Sequence, residues 1–132
     1  MNSFLFQFIW LIVLTDAIPT LEGSYAVAGY SASGIGGNKT SGTNGGVDYW
    51  VLKLTGAGAV YWDKNYGSTL NDSCSSIFQT CDRGYLVGGW SNSPIAFDKY
   101  LSSRGVYDYW VVKLGVPTDP NFDNQTICLS EP

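Results

Sequence analysis

The stretch DYWVLKL at residues 48–54 recurs as DYWVVKL at residues 108–114, sixty positions further along the chain. Around it, residues 17–54 align with residues 77–114 without a gap, and 15 of the 38 aligned pairs are identical. Unrelated segments of ordinary composition would share only about two or three. Self-similarity at one fixed offset indicates a repeat architecture. The chain is therefore predicted to contain a tandem repeat with a period of sixty residues.

Turn-forming residues divide each repeat into short segments rich in β-branched and aromatic residues. These segments predict strands at Ser75–Thr80, Tyr85–Ser91, Asp108–Leu114, Asp48–Leu54 and Ala59–Tyr66. Because most of the connections have hairpin length, consecutive strands are expected to pair antiparallel.

Both faces of the repeated strand are largely apolar. Successive side chains of a strand point to opposite faces, so one face of residues 48–54 carries Trp50, Leu52 and Leu54, and the other carries Tyr49, Val51 and Lys53. A sheet with two apolar faces fits between two neighbouring sheets. Gly29 and the pair Gly88-Gly89 suit a close approach of backbones or a β-bulge.

These features predict an all-β chain of two tandem four-stranded antiparallel sheets arranged like blades of a partial β-propeller. The alternative is an open sandwich of two sheets. The predicted units are a first blade at residues 18–74, a second at 75–114 and an irregular tail at 115–132. The second blade is expected to be incomplete, because prolines interrupt residues 115–120.

Two blades fall short of the about four to eight that close a propeller. They would leave apolar faces exposed. We expect these faces to be covered by further copies of the chain, by neighbouring blades of a longer protein, or by the terminal segments acting as caps.

The amino-terminal residues 3–14 form a run that is apolar at ten of its twelve positions. The run is shorter than the about 20 residues of a membrane-spanning helix, and it is typical of a secretory signal cleaved after Ala17. Since no Lys or Arg precedes the run, a buried strand of the fold is the alternative. Residues 1–17 are thus predicted to be a signal peptide or a hydrophobic N-terminal strand, with a membrane anchor as the third alternative.

Three segments, GYLVGGWS (residues 84–91), DYWVVKL (108–114) and WDKNYG (62–67), resemble a repeat of large secreted bacterial proteins. Those repeats are described as β-propeller repeats and are sometimes labelled bulb-type-lectin-like. The resemblance covers about residues 17–114 and is most specific in the DYWV(V/L)KL strand. It departs at residues 94–97 (PIAF), where the family has a Gly/Asp-rich segment. The resemblance implies a β-propeller fold in a secreted or cell-envelope protein and says little about activity.

Composition argues against several functional classes. The net charge is −4 and only 14% of residues are charged, so no basic face is available for nucleic acid. The chain has no histidine, which removes His-based acid–base catalysis and His-activated nucleophiles. No carboxylate pair is evidently placed for glycoside hydrolysis, and no cysteine spacing indicates a metal site. We therefore predict no enzymatic activity, no cofactor and no metal.

Six residues of the repeated strand are candidates for ligand binding. They are Asp48, Tyr49, Trp50, Asp108, Tyr109 and Trp110. The two aspartates could bind sugar hydroxyls or a metal, or else cap turns by accepting backbone N–H bonds. The four aromatic residues could stack on sugar rings, or else pack between blades.

The three cysteines are Cys74, Cys81 and Cys128. The strand predicted between Cys74 and Cys81 would hold them too far apart to bridge. They are either small, partly buried residues or include a disulfide to Cys128. Lys53 and Lys113, which occupy equivalent positions, are expected to extend toward solvent or to pair with a neighbouring carboxylate.

The leading hypothesis is a non-catalytic, extracellular or envelope-associated β-propeller-type repeat protein that serves as a scaffold or binding surface. The alternatives are a carbohydrate-binding, lectin-like module, a carboxylate hydrolase assembled between blades, and a fragment of a larger propeller protein without independent activity. The expected partners are other propeller blades, further copies of the chain or surface glycans. Contact with a membrane is expected only through the N-terminal segment.

Overall fold

The computed structural model describes residues 11–115, which form seven antiparallel strands in two sheets. The first sheet contains, in spatial order, β1 (Ile12–Pro19), β2 (Tyr25–Ser31), β3 (Asp48–Leu54) and β4 (Val60–Tyr66). The second contains β5 (Asp72–Gln79), β6 (Tyr85–Ser91) and β7 (Asp108–Leu114). Spatial order follows chain order, so each sheet is a meander that does not close on itself. The predicted all-β, antiparallel class is confirmed.

The described part of the chain contains no helix of the length and apolarity needed to cross a membrane.

The same secondary structure recurs at an offset of sixty residues. β5, β6 and β7 begin and end sixty positions after β1, β2 and β3, and the pairing register is equivalent, with Gly29 opposite Trp50 and Gly89 opposite Trp110. The strand predicted from Ser75 begins earlier, at Asp72, because three more residues pair with β6. Any fourth strand of the second sheet would fall in residues 116–132, outside the described residues.

A β-bulge occurs at the same place in both sheets. The pairing register shifts between Leu14 and Asp16 in β1 and between Cys74 and Ser76 in β5. Next to each bulge a glycine of the adjacent strand allows the backbones to approach closely. A Cβ atom on Gly89 would lie 1.9 Å from the Ser73 carbonyl oxygen. The close approach predicted from the glycines is therefore confirmed for Gly29 and Gly89, whereas Gly88 has room for a Cβ atom.

The main core lies between the two sheets, which pack face to face. One face of the first sheet and one face of the second contribute buried residues, namely Ala26, Ala28, Tyr49 and Val51 from the first and Cys74, Ile77, Tyr85, Val87 and Leu114 from the second. Along β6 the buried Tyr85 and Val87 alternate with the exposed Leu86 and Trp90, as a pleated strand with one covered face requires.

The opposite face of the first sheet is a second apolar layer. Trp50, Leu52 and Leu54 are buried there, with Ile12 and Val27 packed against them. These residues also line an apolar cavity of about 280 Å³. The prediction that both faces of residues 48–54 are apolar is confirmed.

Part of the amino-terminal hydrophobic run belongs to the first sheet. Residues 12–17 lie in β1 and pair with β2, so cleavage after Ala17 would remove six of the eight residues of this strand. Residues 1–10 lie outside the described residues. The signal peptide, like the irregular tail beyond Gly115, remains a prediction.

Cys74 and Cys81 differ in oxidation state. Cys74 is a free thiol in the core, and burial raises its pKa to about 11. The thiolate is the reactive form, so this thiol is unreactive near neutral pH. Cys81 is disulfide-bonded, and Cys128 lies outside the described residues.

Candidate functional site

The two repeat tyrosines have opposite environments. Tyr49 is fully buried, whereas Tyr109 is 95% exposed. The Tyr49 hydroxyl donates a hydrogen bond to the Trp110 carbonyl oxygen at 2.7 Å, and the two rings lie 4.9 Å apart between centroids. Tyr49 therefore joins the two sheets, and Tyr109 is the one of the pair that a ligand could reach.

Trp50 and Trp110 also pack within the protein. Trp50 is buried and its indole N–H donates to Asp63 at 2.9 Å. Trp110 is partly buried against the main core. For Tyr49 and both tryptophans, the packing alternative to sugar stacking is the one that the structure supports.

The two candidate aspartates hold loops. The buried Asp48 carboxylate accepts hydrogen bonds from the Asn44 backbone N–H and from the Asn65 amide at 2.7 Å. Asp108 accepts the equivalent bond from the Arg104 backbone N–H. Burial raises the pKa of the Asp48 carboxyl, although these hydrogen bonds oppose the shift. Both residues act as the predicted turn caps, and they lie on different sheets.

Asp63, which the sequence did not single out as a candidate, is a further polar centre. This buried carboxylate on β4 accepts hydrogen bonds from the Trp50 indole, from the Thr40 backbone and hydroxyl, and from the Ser41 hydroxyl. Burial alone would raise the pKa of Asp63, but the hydrogen bonds hold it below the ordinary value. Asp63 thus fastens the long β2–β3 loop to the edge of the first sheet.

We expect the Asp63→Asn variant to lower the free energy of unfolding at pH 7 by about 2–3 kcal/mol, because an amide leaves buried donors unpaired. The depressed pKa of Asp63 means that its ionised form stabilises the fold in full above about pH 4, and that this stabilisation is lost as the pH falls further. Urea unfolding at pH 7 and pH 3 measures both effects. The difference between wild type and variant should shrink at pH 3.

The control is Asp82→Asn, which removes an exposed carboxylate. Its ion pair with Lys113, 2.8 Å long, lowers the pKa of Asp82 to about 2. Exposed pairs contribute little, about 1 kcal/mol or less. Equal losses in the two variants at pH 7 would contradict the role assigned to Asp63.

Further carboxylates surround the same end of the sheets. Asp72 accepts from the Ser68 backbone N–H at 2.8 Å and from the Ser93 hydroxyl, and Asp98 accepts from Asn44 and from Gly67. Within residues 11–115 no group of three or more potential His, Cys, Asp or Glu ligands could hold a metal ion. These carboxylates connect loops to strands.

The repeat lysines pair with carboxylates, as predicted. Lys53 forms an ion pair with Glu22 and donates to the Tyr85 hydroxyl at 2.8 Å. Lys113 pairs with Asp82, which is the counterpart of Glu22 sixty residues on. Both lysines therefore join the third strand of a sheet to its first hairpin turn.

The two repeats differ most in the exposure of one sheet face. This is the face of the second sheet that points away from the first sheet, and it is named the outer face. It exposes large side chains of adjacent strands, namely Phe78, Leu86, Trp90, Tyr109 and Val111. The equivalent residues of the first sheet, Ile18, Ala26, Tyr30, Tyr49 and Val51, are buried or partly buried. Val111 is 58% exposed, for example, whereas Val51 is fully buried.

The loop between β6 and β7, residues 92–107, adds apolar side chains beside this face. It exposes Ile95, Phe97, Tyr100, Leu101, Val106 and Tyr107. Phe97 adopts a φ of 50°, where Gly37 of the first repeat adopts 57°. This left-handed conformation is unfavourable for a large side chain. Tyr107 packs edge-on against Trp90, with ring centroids 4.9 Å apart. The loop and the outer face together form the candidate binding surface.

Of the residues of this surface, only Tyr109 was identified as a candidate from the sequence. A comparison of the two repeats could have indicated the surface, because Leu86 replaces Ala26 and Tyr100 replaces Thr40. Such replacements by larger apolar residues mark the second repeat as the one with more apolar surface. No protein-family model, curated protein or solved structure matches the chain.

Proposed function

We propose that the chain is a non-catalytic β-propeller-type repeat protein, secreted or held at the cell envelope, that works as a scaffold or binding surface. The observation that carries the proposal is the exposed outer face. Its side chains occupy the positions that, on the first sheet, pack against the neighbouring sheet. An apolar sheet face that is exposed to solvent is a surface available for association.

The contact between the two sheets indicates how such a surface is used. The face of the first sheet around Tyr49 meets the face of the second sheet around Trp110. The outer face of the second sheet is the counterpart of the Tyr49 face, displaced by one repeat. Blades of a propeller stack in this head-to-tail manner, which supports assigning the two sheets to that architecture.

The polar residues support a structural role over a catalytic one. The sequence has no histidine. The Asp48 and Asp63 carboxylates are engaged by loop backbone and side-chain donors, and Asp82 is paired with Lys113. Each of these carboxylates therefore has a role in holding the fold.

The proposal is tested by a chain extended by one repeat, with residues 55–114 inserted again after Leu114. We expect the added sheet to cover the outer face, because it offers the same contacts that the second sheet offers to the first. Tyr109→Ala should then destabilise the extended chain by about 3 kcal/mol, the scale for removing a buried aromatic ring. Urea unfolding with and without this substitution measures the change.

The matched control is Tyr109→Ala in the original chain at sub-micromolar protein concentration, where the side chain is exposed and the cost should stay below about 0.5 kcal/mol. The same small cost in the extended chain would mean that the third sheet does not stack on the outer face. The propeller-type arrangement would then be rejected.

Carbohydrate binding is the second candidate, and one observation favours it. Tyr109 lies opposite Trp90 across β6 and β7, and Trp90 in turn contacts Tyr107, so three aromatic rings lie close together at one end of the outer face. Exposed aromatic rings are the usual stacking surface for sugars. Glycan-array binding that is lost in Tyr109→Ala and retained in Tyr61→Ala, an exposed tyrosine of β4, would support this candidate. No binding to any glycan would remove it.

A further inference from the structure

We propose that the outer face binds the same face of a second copy of this chain, which forms a two-fold symmetric dimer. This inference rests on the proposed function and names the partner for the surface described there. The surface consists of Phe78, Leu86, Trp90, Tyr109 and Val111.

The first step is the equivalence between the repeats. Tyr49 and Val51 of the first sheet are fully covered by the second sheet, while Tyr109 and Val111 at the same strand positions are 95% and 58% exposed. The main-chain geometry of the two strands is the same, because both pair in the same register with the preceding strand. Among residues 11–115, no third sheet covers the outer face.

The second step concerns area. The exposures of the five side chains correspond to about 600 Å² per copy, so their complete burial would remove about 1,200 Å² from solvent in a pair of copies. Complete burial of these side chains would therefore just reach the lower end of the range for specific protein–protein interfaces. Because the rings and aliphatic groups lie on one sheet, two such faces could pack as the layers of a sandwich do.

The third step selects the symmetric arrangement. A head-to-tail contact would place the outer face against the far side of the first sheet of another copy. The centre of that side is already buried in each chain, as the 5% exposure of Leu52 and the 8% exposure of Leu54 show, and its exposed side chains, Leu14 and Tyr25, lie toward its margins. Among the described residues, the outer face is thus the more exposed apolar sheet face that a second copy offers. Isologous two-fold contacts of this kind are the commonest in homo-oligomers.

Charge does not oppose the pairing. The five residues named for the outer face carry no charge. Lys113 lies on the same face, opposite Leu86, and forms an ion pair with Asp82 of its own chain. The lysine that a two-fold contact brings into the interface is therefore already paired within each copy.

Sedimentation equilibrium of the full chain tests the inference. We expect twice the mass of one chain, with dissociation on dilution. Val111→Asp should weaken the dimer by at least about 30-fold, because it buries an unpaired carboxylate at the centre of the contact. The matched control is Tyr61→Asp, a similar change at an exposed position of β4 outside the outer face, which should leave the dissociation constant unchanged.

Three outcomes would overturn the inference. They are a monomer at concentrations up to roughly 100 µM, a mass that keeps growing with concentration as open head-to-tail assembly would, and a dimer that Val111→Asp leaves intact. If Val111→Asp fails to fold by circular dichroism, Tyr109→Ala replaces it, with weaker association as the expected result. A monomer would leave the scaffold proposal standing, because the extended chain tests that proposal independently.

Discussion

Tyr49→Ala should lower the free energy of unfolding by about 3–5 kcal/mol, which is the scale for removing a fully buried aromatic side chain. The variant removes a fully buried ring that packs on Trp110 and a hydroxyl that donates to the Trp110 carbonyl oxygen at 2.7 Å. The loss leaves a cavity between the sheets and an unpaired carbonyl. Urea unfolding followed by tryptophan fluorescence and circular dichroism measures the change.

Tyr109→Ala is the matched control for this prediction, because it makes the same chemical change at the equivalent position of the second repeat. We expect a loss below about 0.5 kcal/mol, since the side chain is 95% exposed. The comparison is made at sub-micromolar protein concentration, so that association through the outer face does not contribute. Similar losses in the two variants would contradict the face-to-face packing of the sheets around Tyr49.

Gly89→Ala should lower the free energy of unfolding by about 2–3 kcal/mol, which is the next largest effect. A Cβ atom there would lie 1.9 Å from the Ser73 carbonyl oxygen and 2.9 Å from the Cys74 Cα atom. Both are backbone atoms beside the bulge of β5. Relieving the clash therefore requires β5 and β6 to move apart, which weakens the hydrogen bonds between them. Thermal and urea unfolding of the variant measure the loss.

The adjacent glycine provides the control. A Cβ atom on Gly88 would meet the Val111 side chain at 3.6 Å, which is an ordinary contact. Gly88→Ala should therefore change stability by less than about 0.5 kcal/mol in either direction. If the two alanine variants were equally stable, the close approach at the bulge would not be the reason for glycine at residue 89.

The strand content of the described residues could be predicted because its signals are local. Tyr85–Ser91 and Asp108–Leu114 have the predicted bounds, since alternating β-formers and flanking turn residues act within a few positions of the chain. The start of β5 at Asp72 was missed. Its first residues are Asp, Ser and Cys, which have little intrinsic strand preference, and pairing with β6 draws them into the sheet.

The candidate site was much less predictable. Burial depends on which sheet lies over a face, and residues far apart in sequence decide that. Tyr49 and Tyr109 have nearly identical local sequences, yet one is covered by a sheet and the other is exposed. The polar centre at Asp63 was missed for the same reason, because all its donors except the Trp50 indole come from a loop more than twenty positions earlier.

The sequence by itself determined the sixty-residue period, the antiparallel strands, the apolar character of both faces of the repeated strand and the glycines that allow close backbone approach. These properties follow from residue type and short-range spacing. Only the tertiary structure decided that Trp50 packs, that Asp48 and Asp108 cap loops, and that Tyr109 belongs to an exposed face. Two equivalent strands differ in these respects because, within the described part of the chain, the first sheet has a neighbour over the face that carries Tyr49 and the second has none over the face that carries Tyr109.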